Sequence, residues 1–439
     1  MSKRDRWIIL GGGASGLAAA FFLRKYDIDS EIVEKQNTIG GRMGTVMLGD
    51  RSLDCGGKNI GKRYKLFRDF AMALGPHEFE HFGLNSSQAR DGRLVTFDAK
   101  HRWRTMLGLA RKTSPQDMMR FGSLLWRVKS NEENGYLGSG YSRRVAMRYD
   151  SLPVSRYFSP AFCRRIIRPM SVRMNGAEPD EIYPGNLCSN IRMVLDTYEQ
   201  FKHGLAPVFD DFLSRYQVRL NTSAESLVVK NGRVTSVRVR YPNGTSEELA
   251  CAGVVLATPA PISAALVEPI LSNLGRHLRS VAYYPVMLVL AEYDRPIFSP
   301  SVRALVFDEH ELISNAGAYG MNDLHLVRYT FSGKTARRYL SASTDTEELV
   351  GLGEAALNRY IPVSSRDRRR FVAKRFDLGL CAYTAFHGSF LDGMTQDLQK
   401  TQGLYVTGDY IQGASIEACF RSAKECVERL AVAENGGGR

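Results

Sequence analysis

The chain has 439 residues, of which 44% are hydrophobic and 24% are charged, and this composition excludes a low-complexity or fibrous chain. Its 59 basic and 46 acidic residues leave a net charge of +13, which favours an anionic partner. That partner is a dinucleotide, a lipid surface, an acidic carrier protein or nucleic acid. We expect no nucleic-acid partner, because the sequence contains no helix-turn-helix or RNA-binding signature.

The cysteines and the first residues indicate the cellular compartment. Seven scattered cysteines form no Cys-x-x-Cys pair, and the eight histidines have no metal-ligand spacing, so we expect neither a disulfide framework nor a metal site. The apolar run that begins at Trp7 breaks into glycines at Gly11, which is too short for a signal peptide. No apolar stretch is long enough to span a bilayer. We therefore expect a cytoplasmic protein.

A glycine-rich turn lies between the first predicted strand and the first predicted helix. The apolar run Trp7–Leu10 predicts the strand, and residues 17–23 predict the helix. Between them Gly11, Gly13 and Gly16 form a Gly-x-Gly-x-x-Gly pattern. In such a pattern the first glycine permits the turn, the second lets the backbone approach a pyrophosphate, and the third allows close packing of helix and strand. The pattern predicts a dinucleotide site.

The start of the helix and the end of the next strand complete this predicted site. Ala14 and Ser15 lie at the helix N-terminus, where free N–H groups and the helix dipole attract phosphate. A second strand over residues 31–33 ends at Glu34, followed by Lys35. The Glu34 carboxylate is placed to accept ribose hydroxyls and would repel the 2′-phosphate of NADP. The alternative is a glycine turn that binds nothing, and the motif alone does not separate FAD from NAD.

The residues that follow resemble one family. Gly40, Gly41 and Arg42 come shortly after Glu34, and this order resembles the flavin amine oxidase superfamily. That superfamily includes monoamine oxidases, L-amino-acid oxidases, protoporphyrinogen oxidases and phytoene-type desaturases. The resemblance implies that the segment lies over the pyrophosphate of FAD. The residues agree with this implication, since glycines allow close backbone approach and Arg42 supplies a cation for an anionic bridge.

The C-terminal region resembles the same family. A predicted strand over 404–407 leads to Gly408 and Asp409, then to a loop ending at Ser415 and a helix over Ile416–Leu430. The resemblance implies that Asp409 contacts the ribityl–phosphate part of FAD. It also implies that the last helix directs its N-terminus at the flavin pyrimidine edge, where its dipole would stabilise the charge of reduced flavin.

Three internal segments add to the resemblance. Residues 51–57, ending at Gly57, resemble the family segment that leads under the isoalloxazine ring. Residues 218–239 predict a hairpin that turns at Asn231-Gly232, and the resemblance implies that a backbone amide near Ala224 pairs with the adenine. Residues 253–259 resemble the strand that returns to the parallel sheet.

The sequence also departs from the family pattern. Gln36 stands where many members have arginine, and the strand over 286–290 lacks the lysine found near the flavin in monoamine oxidases. A water-bridging role for that lysine is therefore not expected here. Cys381 and Cys419 are not in the setting used for covalent attachment, so we expect non-covalent FAD.

The resemblance implies an α/β fold in two parts. One is a Rossmann-type FAD-binding domain, with a parallel sheet, helices and an antiparallel crossover. The other is a discontinuous mixed α+β substrate domain. We predict that residues 1–62, 206–262 and 394–439 form the first domain. Residues 63–205 and 263–393 form the substrate-binding domain with its helical insert.

The insert contains a predicted amphipathic helix. Its apolar side chains share one face, and three basic residues lie elsewhere around it: Met118, Phe121, Leu125 and Val128, with Arg120, Arg127 and Lys129. A membrane-surface helix or a dock for an acidic carrier protein is one interpretation. We favour a core-facing helix with a solvated basic face. Farther along, Pro169 ends or kinks another helix, in a stretch that resembles protoporphyrinogen oxidases and desaturases.

Four residues are the predicted catalytic surface: Lys58, Asn59, Tyr383 and His387. A cation at Lys58 would stabilise reduced flavin or hold a substrate carboxylate, and aromatic walls would orient an amine. For each residue the alternative is plain packing. The leading hypothesis is oxidation of an amine-type C–N bond by hydride transfer to flavin N5, with re-oxidation by O2. The alternatives are C–C dehydrogenation of a small or carrier-bound substrate, and a non-redox FAD-binding protein or mutase.

Overall fold

The computed structural model describes residues 6–82, 85–90, 93–98, 113–341 and 344–436. The strands, numbered β1 to β20 in chain order, are Trp7–Leu10, Ser30–Val33, Thr45–Leu48, Arg51–Asp54, Ile60–Gly61, Phe79–His81, Asn85–Arg90, Arg93–Asp98, Tyr198–Phe201, Gln217–Arg219, Ser223–Lys230, Arg233–Arg240, Ser246–Ala250, Gly253–Leu256, Ala282–Tyr293, Ala304–Val306, Asn315–Ala318, Leu326–Phe331, Arg368–Tyr383 and Leu404–Val406.

The α-helices, numbered α1 to α15, are Ala14–Lys25, Lys65–Leu74, Pro115–Ser130, Gly140–Tyr149, Pro160–Phe162, Arg168–Met174, Pro184–Val194, Ala206–Leu213, Ala260–Val267, Ser272–Arg279, Lys334–Tyr339, Thr346–Asn358, His387–Leu398, Asp409–Gln412 and Ile416–Gly436. Short 3₁₀ turns lie at Gly41–Met43, Glu132–Gly135, Val154–Arg156 and Ser365–Asp367, and a π-helical turn lies at Cys163–Ile167.

A five-stranded parallel sheet carries both chain ends. Its order is β10-β2-β1-β14-β20, with Ile8 opposite Val254 on one side and Leu10 opposite Val33 on the other. The central strand β1 is apolar and buried along its whole length, which is typical of a parallel sheet covered on both faces. Helices α1, α2 and α15 share one apolar core with this sheet. The predicted strands over 7–10 and 31–33 are confirmed, and the strand predicted over 253–259 is present but ends at Leu256.

The predicted hairpin is present, but it begins later than the sequence indicated. Strands β11 and β12 pair antiparallel and turn at Asn231 and Gly232, whose φ angles of 52° and 73° are those that a tight hairpin turn requires. Residues 217–219 form instead a separate strand, β10, parallel to β2. The chain changes direction at Asn221, which has a φ of 53° and donates its N–H to the Gln36 carbonyl.

A seven-stranded sheet forms the second layer, in the order β19-β15-β18-β17-β16-β7-β8. The long, mostly apolar segment Ala282–Tyr293 forms β15, which pairs antiparallel with both β18 and β19. Thr344 and Glu347 have the spacing of a capping box, but Thr344 does not cap helix α12. The side chain of Asp345 caps α12 by accepting the Glu347 N–H, whereas the Thr344 hydroxyl turns back to accept the Ser341 N–H.

Helices α3 to α7 form the insert, around their own apolar core. Residues Met118, Phe121 and Leu125 pack on this core and Val128 is buried in it, so the predicted core-facing side of α3 is confirmed. At Pro169 the helix does not end. A π-helical turn over 163–167 precedes it, and α6 continues through the proline, which lacks the N–H that a regular turn would need.

The C-terminal segment is more helical than predicted. The loop expected over 410–415 contains the short helix α14, and α15 continues beyond Leu430 to Gly436. Within the described ranges, we find no helix with the length and apolar character needed to cross a bilayer.

Candidate functional site

The glycine turn after β1 is shaped by contacts within the protein and leaves space at one position. Gly11 has a φ of 104°, and a Cβ on Gly16 would lie 1.9 Å from the Gly11 carbonyl oxygen. A Cβ on Gly13, in contrast, would meet no protein atom within 4 Å. Helix α1 starts next to this space without a side-chain cap, so its first N–H groups, from Ala14 and Ser15, are available to an anion.

The Glu34 carboxylate is held at the end of β2 beside this turn. One oxygen accepts the Gly12 N–H at 2.7 Å, and the other accepts the Gln36 N–H at 2.8 Å. The Thr222 N–H donates to the Glu34 carbonyl, which brings the start of β11 and Ala224 to the same end of the sheet. Lys35 is exposed next to it. The carboxylate is therefore buried and oriented, as a ribose-binding acid requires.

The second glycine segment lies against the first. The Gly40 N–H donates to the Gly12 carbonyl at 2.8 Å, and a Cβ on Gly41 would come within 3.2 Å of the Gly13 Cα. Both residues have positive φ, 99° for Gly40 and 54° for Gly41. The close approach directs Arg42, which follows, across the turn.

Arg42 joins the two ends of the chain. Its guanidinium donates to the Asp409 carboxylate at 2.6 Å, across a sequence separation of 367 residues, and the Tyr283 hydroxyl donates to the other oxygen of Asp409 at 2.6 Å. Burial acts to lower the pKa of Arg42, but the interactions with Asp409 and Tyr283 together more than offset this and raise the pKa. Burial and the same carboxylate raise the pKa of Tyr283. The predicted Gly408-Asp409 motif and the predicted arginine are thus in direct contact.

The start of the last helix is also fixed. The Ser415 hydroxyl caps α15 by accepting the Ala418 N–H at 3.2 Å, and it accepts a hydrogen bond from the buried Arg192 guanidinium at 2.6 Å. Ile416, the first helical residue, is buried. Arg192 was not predicted. Its cation adds to the positive dipole end of α15, so this end of the helix suits a group that gains negative charge.

These features fit FAD. The open position at Gly13, the uncapped start of α1 and the Arg42 cation form a place for a pyrophosphate, and Glu34 is oriented for a ribose. Gly57 is exposed, and a Cβ placed on it would have no side chain closer than 3.9 Å, so its backbone is open to a flat ring. When bound, FAD accepts a hydride from a substrate carbon.

The turn at residues 56–58 connects this cofactor side to the interior of the seven-stranded sheet. The Gly57 N–H donates to the Arg42 carbonyl at 2.9 Å, and the Gly56 carbonyl accepts from the Arg328 guanidinium at 2.9 Å. A Cβ on Gly56 would lie 1.8 Å from the Arg42 carbonyl oxygen, so only glycine allows this approach. Lys58, the next residue but one, is buried in the protein.

Lys58 is buried among polar acceptors and rings. Its Nζ donates to the Gln200 side-chain oxygen at 2.7 Å and to the Tyr319 backbone carbonyl. It also lies 3.8 Å from the centre of the Tyr319 ring and 4.6 Å from that of Phe82. Burial lowers the pKa of Lys58 to about 7, and the Arg328 cation acts in the same direction.

Two further cations surround this site. Arg328 lies on β18 with its Nε buried and unpartnered, and burial lowers its pKa. Burial and repulsion from Arg328 lower the pKa of Arg173, on α6. Asp54 supplies one carboxylate, but it accepts the Leu205 N–H at 2.9 Å, and burial raises its pKa. In the part of the chain that the structure describes, no carboxylate lies within ion-pair distance of Arg173 or Arg328.

Sequence reasoning missed both arginines. Arg328 is a charged residue in the middle of the otherwise apolar strand LVRYTF, and such an interruption was a usable signal. Arg173 lies in a stretch where arginines are frequent, and nothing in the local pattern distinguishes it. We refer to Lys58, Arg173 and Arg328 as the interior cations.

The other predicted catalytic residues fall into two groups. The Asn59 side-chain oxygen is buried without a partner, next to Lys58. Tyr383, with a φ of 67°, accepts the Ala414 N–H on its hydroxyl at 2.7 Å, and His387 lies 3.2 Å from the Ile411 carbonyl. Burial lowers the pKa of His387 to about 4, so the imidazole is neutral. Tyr383 thus holds the loop between α14 and α15, and His387 contacts α14 itself. None of the contacts of the described residues joins them to Lys58. Their catalytic roles stay predictions.

The sequence matches the family "Flavin containing amine oxidoreductase" over residues 14–431. The fold resembles that of a protein assigned as a protoporphyrinogen oxidase from Exiguobacterium sp. 255-15, with a TM-score of 0.74 and 18% identity over 99% of this chain and 100% of that one. It also resembles putrescine oxidase bound to putrescine (TM-score 0.72, 15% identity, 98% and 99% coverage). Cyclohexylamine oxidase from Brevibacterium oxydans IH-35A gives a TM-score of 0.73 at 16% identity, with 98% and 99% coverage.

At these identities the solved structures show the fold, and they confirm the predicted α/β class with a parallel sheet. The family match begins at Ala14, inside the first glycine segment, and it includes the second glycine segment, Asp409 and most of the last helix. The chain therefore belongs to the flavin-containing amine oxidoreductase family, and it is an FAD-dependent oxidoreductase.

Proposed function

We propose that the protein oxidises an amine-type C–N bond in a substrate that also carries an acidic group, as an amino acid does. The observation that carries this proposal is the set of interior cations, because Arg173 and Arg328 have no carboxylate within ion-pair distance among the described residues. Arg173 and Arg328 are half-buried. A cation that has lost part of its hydration and has no carboxylate partner is costly, and an anionic group of a ligand would offset that cost.

Arg328 is the residue best placed to hold the acidic group. Its Nη1 is fixed by the Gly56 carbonyl, while its Nε is buried and has no acceptor. A guanidinium binds a carboxylate with two parallel hydrogen bonds, and the free Nε–H is one of the donors that such a pair uses. Arg173 contributes a second positive charge to the same region.

Lys58 is suited to accept a proton from the substrate. At a pKa of about 7 a large share of this side chain is a neutral amine at neutral pH. The two N–H groups of a neutral amine are matched by two acceptors, the Gln200 oxygen and the Tyr319 carbonyl. The lone pair is then free to take a proton from a substrate ammonium, which must be neutral before its C–H bond yields a hydride.

The test is flavin bleaching without oxygen. The FAD-loaded protein is mixed anaerobically with amino acids, with amines that lack an acidic group, and with acids that lack nitrogen. We expect amino acids to reduce the flavin and to release ammonia, and Arg328→Gln to raise the KM for them by about tenfold or more with a smaller change in kcat. Reduction by simple amines but not by amino acids would overturn the proposal. Release of peroxide on adding air tests O2 as the electron acceptor.

C–C dehydrogenation of an acid without nitrogen is the second candidate. The observation in its favour is again the charge of the site, because three interior cations repel the ammonium of a simple amine. In that case the nitrogen-free acids of the panel would bleach the flavin, and the product would be two hydrogens lighter with no ammonia released.

A further inference from the structure

Helix α3 has a solvent-facing side opposite the one that packs on the core. Met119 is 68% exposed and Trp126 is 60% exposed, although both are large apolar side chains. They are seven residues apart, so they lie on the same face two turns from each other. Arg120 and Arg127 flank them at the same spacing and are also exposed. Apolar and cationic side chains therefore alternate on one exposed surface.

Helix α4 extends this surface. The Arg120 guanidinium donates to the Tyr157 carbonyl at 2.6 Å, and the Tyr157 hydroxyl donates to the carbonyl of Tyr149, at the end of α4. Near it α4 exposes Met147, at 79%, and two more arginines. We define the α3–α4 surface as Met119, Arg120, Trp126, Arg127, Arg144, Met147, Arg148 and Tyr149.

The carboxylates that are near the α3–α4 surface in sequence make their contacts with other groups. Residues 113–160 contain four of them, Asp117, Glu132, Glu133 and Asp150. Asp117 is buried and accepts the Ser159 N–H. Asp150 is also buried, and it accepts the N–H groups of Gly185 and Phe386. The two glutamates pair with cations away from this surface, Glu132 with Arg192 and Glu133 with Arg421.

The four arginines of the α3–α4 surface are left without counter-charges. Arg120, Arg127, Arg144 and Arg148 form no ion pair with any carboxylate of the described ranges. The result is a concentrated positive field around exposed tryptophan and methionine side chains.

We propose that the α3–α4 surface binds an anionic phospholipid bilayer. Arginines contact lipid phosphates, while tryptophan and methionine side chains enter the boundary between headgroups and acyl chains. The exposed tryptophan and the two methionines, which are 60–79% exposed, supply the apolar part of such a bilayer contact, and an acidic protein partner is an outcome of the test below. The proposal does not depend on the substrate of the enzyme.

The test is co-sedimentation of the FAD-loaded full chain with vesicles of phosphatidylcholine, alone or mixed with phosphatidylglycerol. We expect binding to the mixed vesicles only, and weaker binding as salt is raised. The double variant Arg120→Gln/Arg127→Gln should lower the partition coefficient by about 30-fold, as expected for two basic residues near an anionic surface. The matched control Arg338→Gln/Arg366→Gln removes two other exposed arginines that lack an ion pair in the described chain, and should bind as the wild type.

The apolar part is tested separately. Met119→Ser/Trp126→Ser should reduce binding even at low salt, whereas Met72→Ser, at an exposed methionine of α2, should not. Equal binding to both vesicle types, or binding that none of these substitutions alters, would overturn the proposal. So would the absence of vesicle binding together with retention on immobilised polyglutamate that depends on Arg120 and Arg127, which would identify an acidic protein as the partner. Flavin content and visible absorption verify that each variant is folded.

Discussion

A lysine that is 4% exposed is uncommon in a folded protein, because an ammonium loses its hydration on burial. At Lys58 two oxygens and two aromatic rings replace part of that hydration, yet Arg328 adds repulsion. The balance leaves the pKa near 7, so a small change of pH switches the charge of the side chain. Two measurable consequences follow for this one residue.

The first concerns the rate of flavin reduction. If neutral Lys58 accepts the substrate proton, the rate rises about tenfold per pH unit below about 7 and levels off above it, because only the neutral amine has a lone pair. Lys58→Met should abolish this dependence and slow reduction by about 10²–10⁴-fold. Stopped-flow absorbance of the flavin measures both. Lys202→Met, which removes an exposed lysine paired with Glu78, is the control. A pH profile that is unchanged in Lys58→Met would refute the proposed role.

The second consequence concerns stability. In the unfolded chain Lys58 titrates at its ordinary pKa of 10.5, whereas in the folded chain it titrates at about 7. Between these values the unfolded state holds more protons, so the free energy of unfolding rises with pH in this window. Urea denaturation should show the wild type gaining stability relative to Lys58→Met from pH 7 to pH 10.5. A constant difference between the two proteins would mean that the pKa is not lowered.

At the scale of the elements, the turn between β1 and α1 contains two kinds of glycine. One is required by packing within the protein, and the other leaves space for a ligand. A Cβ on Gly16 meets the Gly11 carbonyl at 1.9 Å, so Gly16→Ala should destabilise the apo-protein. A Cβ on Gly13 meets no protein atom within 4 Å and the φ of −80° suits any residue, so Gly13→Ala should leave apo stability unchanged or raise it by up to about 1 kcal/mol. We expect its Kd for FAD to rise about tenfold or more, because the methyl group occupies the pyrophosphate position.

Thermal denaturation of the apo-protein and fluorescence titration with FAD separate these two effects. Gly122→Ala, on the exposed side of α3 with equally open surroundings, is the matched control and should not change FAD affinity. Unchanged FAD binding in Gly13→Ala would show that the pyrophosphate does not pass over this turn.

Local patterns explain which elements the sequence predicted. The unit β1–α1–β2 was predictable, because a buried strand, a glycine turn and a helix with small residues each leave a short-range signal. The surroundings of Lys58 were not, since its partner Gln200 is 142 residues away and Arg328 reaches Gly56 across 272 residues. Pairing between distant strands is set by the whole fold and leaves no mark on either segment alone. Tyr383 was predicted as an aromatic wall beside the substrate, and this role stays a prediction. The contact of its hydroxyl with the Ala414 N–H joins segments 31 residues apart and was not predictable.

At the scale of the whole molecule, the first and last segments depend on each other. Arg42 and Asp409 meet at the cofactor side, and behind them α15 packs on α1 and α2 in one apolar core. FAD that contacts both ends would stabilise them together, by about 2.7 kcal/mol when its concentration is about a hundred times Kd. Loss of the packing between the helices should therefore weaken FAD binding at a distance.

Phe420 is the residue that tests this coupling. Its ring is fully buried on α15, 5.0 Å from that of Phe70 and 5.3 Å from that of Phe67, both on α2. Phe420→Ala should cost about 3–5 kcal/mol of stability through the lost contacts and the cavity. Since α15 would then be held less firmly, we also expect a lower affinity for FAD. The increase in Tm on adding FAD should be smaller than in the wild type. Val432→Ala, on the same helix but 73% exposed, should change neither. If Phe420→Ala lowers the Tm but binds FAD with the affinity of the wild type, the predicted coupling is wrong, and the two chain ends bind the cofactor independently of this core.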